Sequence, residues 1–231
     1  MTEGGVFMTA EKKPLGVLFD MDGLLFDSER PAIPIIMELS RSMGTPVPED
    51  VIRRTIGCNA HLSRRIYEES VPNVDYPALF RRFDAVMQQR GALGQIALKD
   101  GAAELLDWLR ARGVACAVAS SSPLGTVEAY LEGAGIRGYF SCLVTGDVLK
   151  HSKPHPEAFQ KAAEGLGKRP EECLVLEDSP NGIRSGHDAR CRVCMVPDLF
   201  PWREEMSAFA DWHLDSLREV PALIERVWGK A

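Results

Sequence analysis

Short apolar runs alternate with amphipathic segments from residue 101 to about residue 196. The runs have the length of buried strands, and the segments carry apolar residues at helical spacing. This pattern predicts strands at 114–119, 140–145, 173–176 and 192–196, and helices at 102–112, 123–133, 156–166 and 183–189. Repeated strand–helix units of this kind indicate a parallel sheet that is covered by helices on both faces.

The segment from residue 28 to residue 98 breaks this alternation. It lacks a convincing strand and predicts helices at 28–43, 49–56, 60–69 and 76–90. The segment follows an apolar run at 16–19 that predicts the first strand. A helical insertion beyond the tip of that strand can act as a lid that excludes water and contacts substrate.

We therefore expect an α/β fold, with a Rossmann-like parallel sheet core and an inserted α-helical cap. The core is expected to comprise residues 14–27 and 99–231, and the cap residues 28–98. The chain has 231 residues, of which 45% are hydrophobic, so it can bury a full core.

Charge and cysteine content exclude several classes of partner. The net charge is −6 and no dense Lys/Arg block occurs, so we expect neither a nucleic-acid nor a membrane surface. No membrane-length apolar stretch and no signal-peptide pattern are visible. Most of the six cysteines lie in apolar runs and are expected to be buried core residues, so we expect a cytoplasmic protein. Cys191 and Cys194 have the spacing of metal ligands, but no second pair completes a zinc site, and we interpret them as core residues.

Two aspartates end the first predicted strand. The apolar run stops at Asp20, Asp22 follows two residues later, and Gly23 permits a sharp turn. Ligands of open α/β sheets bind beyond the carboxyl ends of the strands. Two carboxylates at such a tip can hold Mg²⁺, attack an electrophile and transfer protons, whereas the alternative is a surface turn with acidic caps.

Further polar residues follow the other predicted strands. Ser120 follows the strand at 114–119, Lys153 lies between the strand at 140–145 and the next helix, and Glu177 and Asp178 follow the strand at 173–176. Taken alone, the serine and the Glu-Asp pair are typical of a turn or a helix entry, and a lone lysine before proline is usually solvated. Together they supply the nucleophile, the hard-cation site and the phosphate donors that phosphoryl transfer needs.

These motifs resemble the haloacid dehalogenase superfamily, in the branch with a helical cap inserted after the first motif. The matching residues run in the family's order from about Leu15 to the C-terminal end, and they are Asp20-Met21-Asp22-Gly23, Ser120, Lys153-Pro154, Glu177-Asp178 and Asn181-Gly182-Ile183. Asp27-Ser28-Glu29 and Leu176-Glu177-Asp178-Ser179 are similar to the β-phosphoglucomutase-like group, which also contains sugar-phosphate phosphatases.

The resemblance implies a role for each matching residue. Asp20 would attack phosphorus, Asp22 would act as general acid and base, Ser120 would bind a phosphate oxygen, and Lys153 would neutralise charge. Mg²⁺ would be bound by Asp20, by the backbone carbonyl of Asp22 and by Asp178, and Glu177 would support it directly or through water. Substrate contacts are expected from a further set of residues: Gly57, Cys58, Asn59, Ser121, Ser122 and Asn181.

Departures from the family's patterns separate the subgroups. Asp22 argues against dehalogenation, and the absence of lysine from 28–60 argues against the phosphonate-cleaving members. Mutases of the group carry a histidine, a lysine and an asparagine where this chain has Ala32, Pro123 and Leu124. We therefore predict a Mg²⁺-dependent phosphatase, expected to be monomeric, that hydrolyses a small phosphorylated metabolite. A phosphohexomutase and a non-catalytic phospholigand-binding protein remain as alternatives.

Overall fold

A parallel sheet forms the centre of the computed structural model, which describes residues 16–56, 58 and 60–229. Within these residues it has six strands: β1 (Gly16–Phe19), β2 (Ala115–Ala119), β3 (Phe140–Val144), β4 (Cys173–Glu177), β5 (Arg192–Met195) and β6 (Trp212–His213). Their order across the sheet is β3-β2-β1-β4-β5-β6, and every neighbouring pair is parallel. The predicted α/β fold with a Rossmann-like parallel sheet is confirmed.

Strand β1 is buried on both faces and lies between β2 and β4. Phe19, its last residue, is in register with Val118 of β2 and Leu176 of β4. Val17 and Phe19 belong to the apolar core on one face of the sheet, and Leu18 belongs to the core on the other. Because parallel strands end at the same edge, the residues that follow these three strands are brought together.

Nine α-helices lie in the described part of the chain. They are α1 (Glu29–Ser42), α2 (Glu49–Thr55), α3 (Ala60–Ser70), α4 (Tyr76–Ala92), α5 (Ala102–Ala111), α6 (Leu124–Gly133), α7 (Glu157–Gly165), α8 (Pro180–Asp188) and α9 (Val220–Trp228). The first eight begin and end within three residues of the predicted bounds. None of the described helices combines the length and the apolar content of a membrane span.

Two elements near the C-terminus, β6 and α9, were not predicted. Strand β6 has only two residues, which is too short for an alternating pattern to stand out. The ring of Trp212 in β6 packs edge-on against that of Trp228 in α9, with 5.5 Å between centroids. Tertiary packing of these aromatic side chains therefore fixes both elements at the edge of the sheet.

Helices α1–α4 have an apolar cluster of their own. Tyr67, Tyr76 and Phe80 form its aromatic part, with ring centroids 4.2–5.4 Å apart. The Tyr76 hydroxyl and the Ser63 hydroxyl lie 3.1 Å apart and form a buried hydrogen bond. Such edge-on and tilted ring contacts add to the free energy gained by burying apolar area, so these helices pack on one another as well as on the sheet.

The chain enters and leaves helices α1–α4 through a short two-stranded ribbon. The Asp27 backbone N–H donates to the Ala97 carbonyl at 2.9 Å, and the Lys99 N–H donates to the Leu25 carbonyl at 2.8 Å. Lys99 and Arg30 also form ion pairs with Asp198, whose side chain is 1% exposed. The segments that enter and leave helices α1–α4 are therefore hydrogen-bonded to each other, and both form ion pairs with the loop after β5.

Helices α4 and α6 approach each other at two glycines. A Cβ atom on Gly133 would lie 1.9 Å from the carbonyl oxygen of Gly91, well inside van der Waals contact. A Cβ on Gly91 would lie 2.3 Å from the ring of Tyr130. The two helices can pack this closely only because neither position carries a side chain.

We expect Gly133→Ala to destabilise the protein by about 1–3 kcal/mol, because the added methyl forces α4 and α6 apart. Alanine is the better helix former, so the loss would run against intrinsic propensity. The control is Gly138→Ala, since no described atom lies within 4 Å of the added Cβ there. Urea unfolding measures both variants, and equal midpoints would contradict this account of the helix contact.

Candidate active site

The carboxyl edge of the sheet opens into a cavity of about 460 Å³. The predicted site residues that line it are Asp20, Asp22, Cys58, Ser121, Lys153, Glu177, Asp178 and Asn181. Ser120 is buried and its hydroxyl lies 3.4 Å from the Asp22 carboxylate, while Ser122 contacts that carboxylate directly. Gly57 and Asn59 lie outside the described residues. The parallel strands thus bring together residues that are far apart in the sequence.

Lys153 is buried between two carboxylates. Its Nζ donates to Asp20 Oδ1 at 2.5 Å, to Glu177 Oε1 at 2.7 Å and to the Ala119 carbonyl at 3.0 Å. Burial lowers the pKa of Lys153, but the charges of Asp20 and Glu177 outweigh it and hold that pKa above its ordinary value. The lysine therefore stays charged and connects the ends of β1, β2 and β4.

Glu177 accepts hydrogen bonds both from Lys153 and from the turn that follows β4. Its Oε1 accepts from Lys153, while its Oε2 accepts from the backbone N–H groups of Asp178 and Ser179 at 2.9 and 3.0 Å. The Ser179 hydroxyl lies 3.0 Å from the same Oε2. Both carboxylate oxygens are thus engaged by protein donors, which suits a residue that positions Lys153 and the turn into α8.

Asp22 has quite different surroundings from Asp20. The Ser28 hydroxyl donates to its Oδ1 at 2.7 Å, and the Ser122 hydroxyl donates to its Oδ2 at 2.8 Å. Asp22 lines both the cavity at the sheet edge and the neighbouring cleft towards helices α1–α4. Two aspartates separated by one residue are therefore held by different partners, an ammonium group for one and hydroxyl groups for the other.

The turn that separates these aspartates from α1 needs a glycine. Gly23 has φ = +84°, in the left-handed region that glycine adopts without strain. A Cβ at this position would lie 2.4 Å from Asp178 Oδ2. Gly23 therefore lets the first loop pass directly over the carboxylate at the end of β4.

Negative charge at the sheet edge exceeds the positive charge that faces it. Burial raises the pKa of Asp20 to about 8, although the charge of Lys153 acts to lower it. Burial, and to a smaller extent the charge of Asp22, raise the pKa of Glu29 to about 8. Burial and the charge of Glu177 raise the pKa of Asp178 well above its ordinary value. The buried ammonium group of Lys153 contacts Asp20 and lowers the pKa of Asp178, but burial and the neighbouring carboxylates outweigh it.

This donor set fits a hard divalent cation. Asp178 Oδ2 and Glu29 Oε2 are buried and have no hydrogen-bond partner among the described residues. Unpartnered buried carboxylate oxygens are costly unless they are protonated or bound to a cation. Mg²⁺ prefers carboxylate and carbonyl oxygens, so Asp20, Asp178 and the backbone of Asp22 are suited to bind it.

A second cleft, of about 490 Å³, continues from Asp22 towards helices α1–α4. Its walls are largely apolar and aromatic, with Ala32, Ile36, Tyr67, Phe83, Pro123 and Tyr130 among them. The carboxyl of Asp84 on α4 also faces this cleft, and Cys58 lies between it and the cavity. Glu29 and Asp84 were not predicted as site residues. Glu29 belongs to the Asp27-Ser28-Glu29 motif, which could have pointed to it, whereas the local sequence of Asp84 does not distinguish it from a solvated helix carboxylate.

The haloacid dehalogenase-like hydrolase family matches residues 17–196 of the chain. The matched stretch covers most of the chain and contains Asp20, Ser120, Lys153 and Asp178. The chain belongs to this family. The predicted superfamily is therefore confirmed, and the cluster at the sheet edge lies within the part of this haloacid dehalogenase-like hydrolase that the family shares.

Two relatives of this haloacid dehalogenase-like hydrolase are named as phosphatases. Hexitol phosphatase B of Escherichia coli K12 is 30% identical over 93% of this chain and 98% of its own length. A phosphorylated carbohydrates phosphatase of Thermotoga maritima is 30% identical over 75% of this chain and 80% of its own. The chain is accordingly a phosphatase of the family.

A solved structure extends the likeness to the fold. CbbY from Rhodobacter sphaeroides, crystallised with phosphate, superposes with a TM-score of 0.78 at 28% identity. The comparison covers 89% of this chain and 95% of that one. The similarity therefore includes helices α1–α4 as well as the sheet.

The raised carboxyl pKa values predict how stability varies with pH in the presence of a chelator. Asp20 and Glu29 rise from ordinary values of 3.8 and 4.5 to about 8, so the folded protein binds more protons than the unfolded chain between those limits. These groups stabilise the fold below their unfolded pKa values, and their contribution is lost as pH rises towards 8.

Thermal unfolding in chelator at pH 6 and pH 8 measures this decline. Glu29→Gln is expected to reduce the decline, because it removes one of the buried ionisable groups. Glu49→Gln, at an exposed position, is the control. An unfolding temperature that does not fall from pH 6 to pH 8, or that falls by the same amount in Glu29→Gln as in the wild type, would contradict the prediction.

Proposed function

We propose that this phosphatase hydrolyses a small sugar phosphate through an aspartyl-phosphate intermediate, with Mg²⁺ as cofactor. One observation carries the proposal: Asp20 is held by the Lys153 ammonium group, whereas Asp22 is held by the hydroxyls of Ser28 and Ser122. Two carboxylates in such different surroundings suit two different roles, a nucleophile and an acid–base group.

In the first step, a carboxylate oxygen of Asp20 forms a bond to phosphorus. The ester P–O bond breaks, and Asp22 gives a proton to the departing alcohol oxygen. In the second step, Asp22 takes a proton from water, whose oxygen attacks the same phosphorus and releases inorganic phosphate and free Asp20. Lys153 contacts Asp20 Oδ1, so it fixes the nucleophile and offsets the charge of the phosphate.

Mg²⁺ would be held by the carboxylates of Asp20 and Asp178 and by the backbone carbonyl of Asp22. When bound, it would offset the repulsion between these carboxylates and the anionic substrate. Glu177 would position the groups around this metal site, since its own oxygens accept hydrogen bonds from Lys153 and from the backbone of Ser179. Ser120 would donate a hydrogen bond to a phosphate oxygen. Asn181 would orient Lys153 or the ligands of the metal.

We infer that residues 28–98 form a cap over a core of residues 14–27 and 99–231. The cleft between α4 and the loop after β2 leads to Asp22, so the alcohol part of the substrate would occupy it. Ser121, Ser122 and Cys58 line this cleft, and Asp84 can accept hydrogen bonds from sugar hydroxyls there. The names of the relatives from Escherichia coli and Thermotoga maritima support a phosphorylated carbohydrate as substrate.

Hydrolysis is favoured over isomerisation by the walls of the same cleft. Ala32 and Pro123 line it at positions where the related mutases carry a histidine and a lysine. Neither side chain can donate a hydrogen bond to a second phosphate group. A non-catalytic binding protein is disfavoured because it would need neither the buried Asp20–Lys153 pair nor Asp22. We expect the enzyme to act as a cytoplasmic monomer.

Asp20→Asn is expected to lower the rate of phosphate release by at least about 10³-fold, because an amide is a poor nucleophile. Asp22→Asn should cost about 10²- to 10⁴-fold through loss of the acid–base step. Asp50→Asn, at an exposed position on α2, is the matched control. The assay measures phosphate release from sugar, polyol and nucleoside monophosphates with Mg²⁺ and with chelator.

Wild-type turnover by Asp20→Asn would contradict the covalent mechanism. Isomerised sugar phosphate with little free phosphate would favour the mutase instead. Saturable binding of phosphate esters without any turnover would favour the binding protein.

Asp84→Ala is expected to raise KM about 5- to 100-fold with a smaller change in kcat, because the lost group contacts the sugar rather than the reacting phosphate. The control is Arg82→Ala, an exposed position on α4 that does not line the cleft among the described residues. Equal KM values for Asp84→Ala and wild type with every accepted substrate would exclude Asp84 as a substrate contact.

A further inference from the structure

A second group of side chains with potential ligand atoms lies on the loop that carries Lys153 and at the first residue of α7. His151, His155 and Glu157 each place a ligand atom within 4.8 Å of those of the other two. The two histidines line a cleft that does not include Asp20 or Asp178. This cluster is therefore separate from the carboxylates at the sheet edge, although its two histidines lie on the loop that carries Lys153.

The ligand atoms of the cluster lie no more than 4.8 Å apart, within reach of the spacing in a metal site. Tetrahedral zinc ligands at 2.0–2.2 Å from the ion lie roughly 3.3–3.6 Å from one another. His151 Nδ1 and Glu157 Oε2 are hydrogen-bond partners 3.1 Å apart, and the rings of His151 and His155 are stacked with centroids 4.3 Å apart. Both histidines are exposed, so small side-chain rotations can bring their nitrogens to the required separation.

The carboxylate of the cluster is held in position by protein donors. Glu157 accepts hydrogen bonds from the backbone N–H groups of Lys150 and His151 at 2.9–3.1 Å. Lys161 lies 2.7 Å from its Oε1. Hydrogen bonds of this kind orient metal ligands in known sites and strengthen binding. They fix Glu157 beside the His151 ring before any ion arrives.

We propose that His151, His155 and Glu157 bind a divalent transition-metal ion of the zinc type. Two imidazoles and one carboxylate form a ligand set that such ions accept, whereas Mg²⁺ prefers oxygen ligands. The cleft is also lined by the cationic residues Lys150 and Arg184, and Asp188 lies 3.6 Å from Arg184 and offsets its charge. An open cleft leaves room for water to complete the coordination.

Binding at this site slows the phosphatase, a consequence that rests on the proposed function. Lys153 lies two residues from each histidine in the sequence, and its Nζ contacts both Asp20 and Glu177. An ion held by both histidines restrains the backbone on either side of Lys153. This restraint would alter the contact between the Lys153 ammonium group and Asp20.

Calorimetric titration of the full chain with zinc chloride, in saturating Mg²⁺, tests the site directly. We expect one high-affinity Zn²⁺ per chain, and at least about tenfold weaker binding for His151→Ala and for His155→Ala. His187→Ala and His213→Ala change exposed histidines elsewhere and are expected to bind as wild type does. Wild-type affinity in the His151→Ala/His155→Ala double variant, or no binding to the wild type, would overturn the proposal.

Phosphate release in the same buffer tests the consequence. Zn²⁺ is expected to inhibit the wild type over the concentration range in which the titration shows binding, and to leave the double variant uninhibited. Equal inhibition of both proteins would place the inhibiting ion at the carboxylates and overturn the link to Lys153. A chain that releases no phosphate under any condition would refute the proposed function, while the titration would still decide the metal site.

Discussion

The buried contact of Lys153 with Asp20 and Glu177 is the constraint on which the site depends. A charged ammonium group in the interior is tolerated only where opposite charges and hydrogen bonds replace water. Here the replacements come from the ends of three adjacent strands, because the Ala119 carbonyl completes the set. The register of β2, β1 and β4 and the position of the lysine loop are therefore mutually dependent.

Several carboxyl groups at the same edge have raised pKa values, so their ionisation lowers the free energy of unfolding. Carboxyl groups with strongly shifted pKa values in a cavity are typical of functional sites, where folding stability is partly sacrificed. The parallel sheet makes this possible, since its buried strands hold the carboxylates rigidly in place. An incoming cation and an anionic substrate would each find partners that are already positioned.

The sequence predicted the sheet and the residues at its edge because both depend on local patterns. Buried strands appear as apolar runs, and parallel strands deliver the residues that follow them to one place. The partners of Asp22 could not be predicted in the same way. That Ser28 and Ser122 both reach it depends on how the turn at Gly23 and the loop after β2 lie in space.

The walls of the cleft towards helices α1–α4 were also beyond sequence analysis. Asp84 lies on a helix face that is set by the packing of Tyr67, Tyr76 and Phe80, and a helical repeat alone does not show which face meets the sheet. Strand β6 and helix α9 were missed for a related reason, since mutual packing rather than local pattern holds them. Contacts between distant segments decide these features.

The ribbon at Leu25–Asp27 and Ala97–Lys99 fixes the two points at which the helical segment α1–α4 joins the rest of the chain. The two crossings are hydrogen-bonded to each other, and Phe26 is also bridged to Asp22. If helices α1–α4 contact the substrate as proposed, a different helical segment would alter the substrate range, provided that it starts and ends in this register. A graft that shifted the ribbon by one residue would turn its side chains to the opposite face and displace Asp22, whatever the quality of its own packing.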